Sequence, residues 1–165
     1  MITLEPITEK NIVTFKGARL RALQDTPSAF GANYANESLL TDADWIKRAA
    51  KWNGQKGVLY LAMDGSDACG IAGSFLDEAD ATRAYLISMW TAPTHRRQGI
   101  GRLLVNEIFR WGRRCGVRTM LLMVTSNNQR AIAFYERLGF SLTGRTEPYP
   151  NDPALIELEM SRAIL

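Results

Sequence analysis

The chain predicts an α/β protein of the α+β kind: a mixed, mostly antiparallel sheet of about seven strands with about four helices, in the order βααβββαβαββ. Three observations carry this. The apolar runs "GVLYLAM", "ACGIAGSFL" and "TRAYLISMWT" follow one another across "DGSD" and "DEADA". Those links are short and rich in turn formers, so the three runs form an antiparallel meander. Downstream, helical and strand-like periodicities alternate. Finally, 165 residues with 46% hydrophobic content and no linker, repeat or low-complexity tract suit one core and a single domain over 1–165.

"ITLEPI" alternates as a first strand. In "TEKNIVTFKGARLRAL" the apolar residues Ile12, Phe15, Leu20 and Leu23 recur at helical spacing. The next segment is interrupted by Pro27 and Gly31 and resumes as a helix after Thr41 or Asp42, either of which suits an N-cap. After the meander comes the best-patterned helix, from about Gly99. Ile100, Leu103, Leu104, Ile108, Trp111 and Cys115 share one face, Arg102, Asn106, Arg110, Arg113 and Arg114 lie elsewhere, and Gly116 is a left-handed stop. "TMLLMVT" is a strand, a helix runs from about Asn128 to Leu138, and "FSLTGRTEPY" and "ALIELEM" are the last strands.

A net charge of +3 suits an anionic ligand and falls short of a nucleic-acid signature. Cys69 and Cys115 have no metal-like spacing, and no apolar run approaches the roughly 20 residues that cross a bilayer. The opening lacks a basic leader, so a cytoplasmic protein without a metal is expected.

Two stretches carry chemistry. In "TAPTHRRQGIGRLLV" a helix N-terminus with unpaired N–H groups follows Gly99 and Gly101, and Arg96, Arg97 and Arg102 offer charged donors. That combination binds phosphate where backbone can approach it. Read alone, it is equally a surface turn with solvated arginines. Neither a dinucleotide fingerprint nor a P-loop fits, because Leu104 stands where a third glycine belongs and no Gly-Lys-Ser/Thr follows. In "LLMVTSNNQRAIAFYERLGF" a strand enters a short helix that Asn128 could cap and on which Tyr135 lies near the apolar side.

Together these stretches resemble the GCN5-related N-acetyltransferase superfamily. "MWTAPTHRRQGIGRLL" is similar to its pyrophosphate loop, with Arg96, Gly99 and Gly101 on R/Q-x-x-G-x-G/A, and "VTSNNQRAIAFYERLGF" to its second cofactor motif. The resemblance implies acetyl-CoA as co-substrate and a fourth and fifth strand that splay to receive pantetheine near Met89, Trp90 and Thr91. It implies pyrophosphate on the amides of Arg97, Gln98, Gly99, Ile100, Gly101 and Arg102, pantetheine on Asn128, and the Tyr135 hydroxyl at the cofactor sulfur. Arg130 could reach an adenosine phosphate. The expected reaction is acetyl transfer to a primary amine of a small molecule, with no nucleic-acid or membrane partner. A homodimer through the C-terminal strands is common in such proteins.

The general base is less legible. Some relatives that acetylate protein N-termini carry a glutamate within a Leu-Glu-Val run of the fifth strand, where this chain has Leu122-Met123-Val124. Met123 cannot be a base. Glu37 is the preferred candidate, ahead of Glu78, Asp80, Glu157 and Glu159, while His95 reads as a solvated turn residue. Two other classes stay open: a non-catalytic acyl-CoA sensor of the same fold, and a peptide N-terminal or lysine acetyltransferase.

Overall fold

A computed structural model describes residues 1–165. The order is β1 (Ile2–Pro6), α1 (Ile12–Asp25), α2 (Tyr34–Glu37), α3 (Asp42–Lys51), β2 (Gly57–Asp64), β3 (Asp67–Leu76), β4 (Arg83–Thr91), α4 (Ile100–Arg114), β5 (Thr119–Thr125), α5 (Gln129–Arg137), β6 (Ser141–Pro148) and β7 (Ile156–Ala163), with 3₁₀ turns at Pro27–Ala29 and Pro93–His95. The seven strands form one sheet ordered β1-β2-β3-β4-β5-β7-β6. Every neighbouring pair is antiparallel except β4 and β5. The expected architecture stands, with one correction: there are five helices, because Asn33 caps the one-turn α2 by accepting from the Asn36 amide at 2.9 Å.

The cap left open between Thr41 and Asp42 is Thr41. Its hydroxyl accepts from the Asp44 amide at 3.2 Å and the Asp44 carboxylate accepts from the Thr41 amide at 2.9 Å, a reciprocal capping box. β2 and β3 are buried along nearly their whole length, so both faces of that half of the sheet are covered. α1 with α3, which contact each other, supply one cover, and α4 supplies the other. On α4 the buried residues are Ile100, Leu104, Val105, Ile108, Phe109, Trp111 and Gly112. Leu103, expected on the packing face, is instead 44% exposed, because the buried stripe rotates toward Val105 and Phe109. Gly116 ends this helix at φ 83°, as its position predicts. No helix is long and apolar enough to cross a membrane.

Candidate active site

β4 and β5 pair only from Arg83↔Thr119 to Leu86↔Leu122. Past Leu86 they part, leaving an edge of β4 from Ile87 to Thr91 that β5 does not meet. A register shift against β3 marks the same point: Gly73 pairs with Ile87, and the next regular pair is Ile71 with Trp90. Ser88 inside this bulge has φ 58°, a left-handed conformation that costs an L-residue roughly 1–2 kcal/mol. The Arg19 guanidinium donates to the Ser88 hydroxyl at 2.8 Å and so ties the bulge to α1.

The parting opens a cleft of about 1260 Å³ whose lining includes Met89, Trp90, Thr91, Arg96, Arg97, Gly99, Ile100, Gly101, Arg102, Asn128, Arg130 and Tyr135. Nearly all of the sequence-predicted cofactor residues therefore meet there. Gln98 does not line it: its side chain turns away, donating to the Thr94 carbonyl at 3.4 Å, and only its amide belongs to the turn. Between Arg96 and Arg102 no amide donates to a backbone carbonyl, and the ladder of α4 starts with Leu103 to Gly99 at 3.1 Å. Positive φ at Arg97 (65°) and Gly99 (81°) curls this run into a concavity at a helix N-terminus, of the kind that suits an anion. Gly101 serves differently, since a Cβ there would stand 3.0 Å from the Phe134 ring.

Two expectations for this turn, on Arg96 and His95, are corrected. The Arg96 guanidinium is not a free donor; it is held by the Asp25 carboxylate and by the Thr91 carbonyl at 3.1 Å. Trp90 contributes backbone to the cleft while its ring is core, 4% exposed, with the indole donating to Asp25 at 3.0 Å. His95 is not a solvated residue: its Nε2 lies 2.9 Å from the Asp64 carboxylate and its Nδ1 2.8 Å from the Thr94 hydroxyl, which anchors the turn to β2. Arg97, Arg102 and Arg130 remain as exposed cations on the cleft.

On the opposite wall Asn128 caps α5, accepting from the Ala131 amide at 3.2 Å. Tyr135 is 9% exposed and packs edge-on against Phe134 and Phe140. Burial pushes its phenol well above the ordinary tyrosine range, and its hydroxyl, which has no hydrogen-bond partner in the chain, lines the cleft.

Glu37, the preferred base, belongs to another structure. Both its oxygens accept from Arg19, each at 3.1 Å, and one also accepts from Arg48 at 3.0 Å. Burial raises its pKa, but the hydrogen bonds and charge of Arg19, with Arg48 behind them, outweigh burial and hold it below the usual range. A carboxylate so engaged is a poor proton acceptor, and Glu37 does not line the cleft. Glu78 and Asp80 lie exposed in the β3–β4 turn. Three other carboxylates do reach the cleft: Glu147, Glu157 and Glu159. Glu159 is 6% exposed and accepts from the Thr143 hydroxyl at 2.9 Å, and Glu147 accepts from Arg145 at 2.8 Å. Glu157 has no partner, and burial, then the neighbouring Glu147, push its pKa up.

Sequence reasoning missed Asp25, Phe30, Glu147 and Tyr149. The Tyr149 hydroxyl lies 2.7 Å from the Phe30 carbonyl and 3.0 Å from that of Pro27, and Asn151 donates to the Phe30 and Ala32 carbonyls, each at 3.2 Å. These bonds strap residues 27–32 over the cleft beside the carboxylates. "EPYPND" signals only a turn, so nothing local could have revealed the strap.

Residues 20–140 match the family described as acetyltransferase (GNAT). The ribosomal protein bS18 alanine N-acetyltransferase of Escherichia coli K12 is 38% identical over 96 residues, 58% of this chain and 65% of that protein, so the chain spans a little under two thirds of that curated relative. Among solved structures, an acetyltransferase of Streptococcus pneumoniae superposes with a TM-score of 0.83 at 19% identity, covering all of both chains. An acetyltransferase of Salmonella typhimurium solved with acetyl-CoA superposes at 0.79 and 16% identity, covering 100% of this chain and 95% of that one. At such identities the two structures speak for the fold.

Proposed function

The chain belongs to the acetyltransferase (GNAT) family, and from that premise we propose that it transfers acetyl from acetyl-CoA to a primary amine of a small molecule. The observation that carries this is the run of unpaired amides from Arg97 to Arg102, which opens into the same cleft as the unpaired edge of β4. Such a turn suits a pyrophosphate, and an open strand edge suits the two amides of pantetheine. Asn128 lies on the opposite wall for the same arm.

The residues then divide the chemistry. Glu157 accepts the proton of the attacking ammonium, and its raised pKa strengthens it as a base. As the nitrogen lone pair forms the C–N bond, an amide from the β4 edge between Met89 and Thr91 stabilises the developing oxyanion. The newly bonded nitrogen gives up its second proton to solvent, and the C–S bond breaks with its electron pair on sulfur. Tyr135 stays neutral because burial raises its pKa, so it donates a hydrogen bond to that sulfur. Complete proton transfer to a thiolate of ordinary pKa, about 8.5, would run uphill by more than about 2 kcal/mol, so the thiolate takes its proton from solvent.

A peptide N-terminal amine is the second reading, favoured by the similarity to the bS18-directed enzyme. The test is calorimetric titration of acetyl-CoA into the wild type and the Arg102→Glu variant. Arg102 is exposed, lines the cleft and sits in the first turn of α4, where an acidic residue suits the helix. Wild type binds, and the folded variant binds at least about tenfold more weakly. No binding by wild type overturns the assignment, and thiol release with an amine panel separates an enzyme from a sensor.

A further inference from the structure

Gly57, Phe75, Tyr85 and Leu121 stand side by side on β2, β3, β4 and β5. Directly paired residues point to one face of a sheet, so these four form a row across it. Gly57 leaves room in the row for the Trp52 ring, from which a Cβ would stand only 2.7 Å. Trp52 then meets Phe75 edge-on with ring centroids 6.3 Å apart, and the Phe75 and Tyr85 rings stack at 5.4 Å and 20°. Ile87 and Met123 lie two residues further along the same face, toward the point where β4 and β5 part. Phe75, Tyr85, Ile87 and Met123 all line the cleft.

Two observations separate this row from ordinary core. Of the six phenylalanines, Phe75 alone is exposed. Among the large apolar side chains that the chain exposes, it is also the one that lines the cleft. An aromatic surface left in water inside a binding cleft marks a place that a ligand covers. Charge does not choose the acceptor here, because Glu147 and Glu159 face Arg145 and the exposed Arg137 lines the cleft along with Glu157. The apolar floor is the selective feature. Met123, which cannot be a base, adds a polarizable thioether suited to a ring.

Resting on the acetyltransferase reading, we propose that the acceptor amine carries an aromatic ring, which lies against Phe75 and Tyr85 while the amine reaches the thioester past Ile87 and Met123. At about 3.3 Å per residue, Tyr85 stands about 7 Å from Ile87 and about 13 Å from Met89 along β4, so roughly two to four carbons between ring and nitrogen bridge the interval. A short polar amine would leave the rings in water.

The test measures thiol release from acetyl-CoA with 4-phenylbutylamine, butylamine and a peptide with an N-terminal alanine. The expected kcat/KM for 4-phenylbutylamine exceeds that for butylamine by at least about tenfold, the discrimination an apolar pocket gives for as little as one methylene. In Phe75→Ala, a change at an exposed position, that ratio falls toward one. A smaller ratio in wild type, a ratio that survives Phe75→Ala, or better turnover of the peptide overturns the proposal while the acetyltransferase reading stands. Sedimentation velocity addresses the other occupant of an apolar face: a wild-type dimer that Phe75→Ala dissociates makes the rings an interface between copies and also overturns it. If no probe is turned over, 4-phenylbutylamine and butylamine are titrated into the protein saturated with coenzyme A, where the same preference in Kd supports the proposal and its absence overturns it. Failure of acetyl-CoA itself to bind removes the reading beneath, and the proposal with it.

Discussion

Replacing Glu37 by glutamine separates a structural anion from a catalytic one. The carboxylate is 7% exposed and accepts two bonds from Arg19, itself 11% exposed, and one from Arg48, which is 34% exposed. Glutamine removes the charge and puts an NH₂ against guanidinium donors. Breaking a buried pair by changing one partner costs roughly 3–5 kcal/mol, while the exposed Arg48 contact adds about 0–1. For a chain of this size each kcal/mol moves Tm by about 2–4 °C, so a fall of about 6–24 °C is expected.

The sign of the pH dependence follows from the lowered pKa. A carboxylate whose folded value lies below the unfolded value, about 4.3, stabilises the fold above that value and loses its contribution as pH falls through the folded one. The gap between wild type and Glu37→Gln in urea denaturation is therefore full at pH 7 and narrows in acid. Kinetically, the acidic limb of kcat/KM stays where it is, whatever the plateau. A variant within about 1 kcal/mol of wild type that has lost this limb would refute the reasoning and return Glu37 to the role of base.

Three further outcomes are expected. Glu157→Gln removes the acidic limb of the kcat/KM profile and lowers the plateau; the limb sits above the ordinary carboxylate range because burial and Glu147 raise the pKa, with Glu159, Arg145 and Tyr135 the other titratable groups around it. A folded-state pKa raised this way subtracts stability once pH exceeds the unfolded value, so the variant melts no lower than wild type at pH 7. Tyr135→Phe lowers kcat by about 10- to 100-fold at a nearly unchanged KM for acetyl-CoA, the worth of a hydrogen bond to a charged atom; a large drop in Tm instead would contradict the partnerless hydroxyl. Gly99→Ala, at φ 81°, costs roughly 1–2 kcal/mol and weakens acetyl-CoA binding, read by melting and calorimetry, and an unchanged affinity would mean that the turn's curl is not needed.

What the sequence made legible was local. The meander, "TMLLMVT", Gly99 and Gly116, and the cofactor side of the cleft rest on neighbours within one turn or one strand–helix junction. The side of the cleft under the 27–32 strap rests on contacts such as Thr125 to Ser28, 97 residues apart, and Tyr149 to Phe30, 119 apart, which no periodicity encodes. Glu37 shows the limit. It stands in the right segment, but its partners lie on α1 and α3, and their guanidiniums turn a plausible base into a fixed anion. Glu157 gains its character the same way, from Glu147 across a register that only the folded hairpin sets.

Ser88 links the two halves. β4 must pair with β5 up to Leu86 and then leave it, and a bulge makes that change within one strand. A glycine would hold φ 58° without strain, yet the position carries a serine whose hydroxyl receives Arg19. The hydrogen bond offsets part of the strain, and Glu37 and Arg48 hold Arg19 in turn. α1 and α2 are thereby fastened to the point where the cleft opens. Arg19 on α1 and Glu37 on α2 thus share one hydrogen-bonded chain with the bulge that separates β4 from β5, so a variant that breaks this chain is felt at both ends of the cleft.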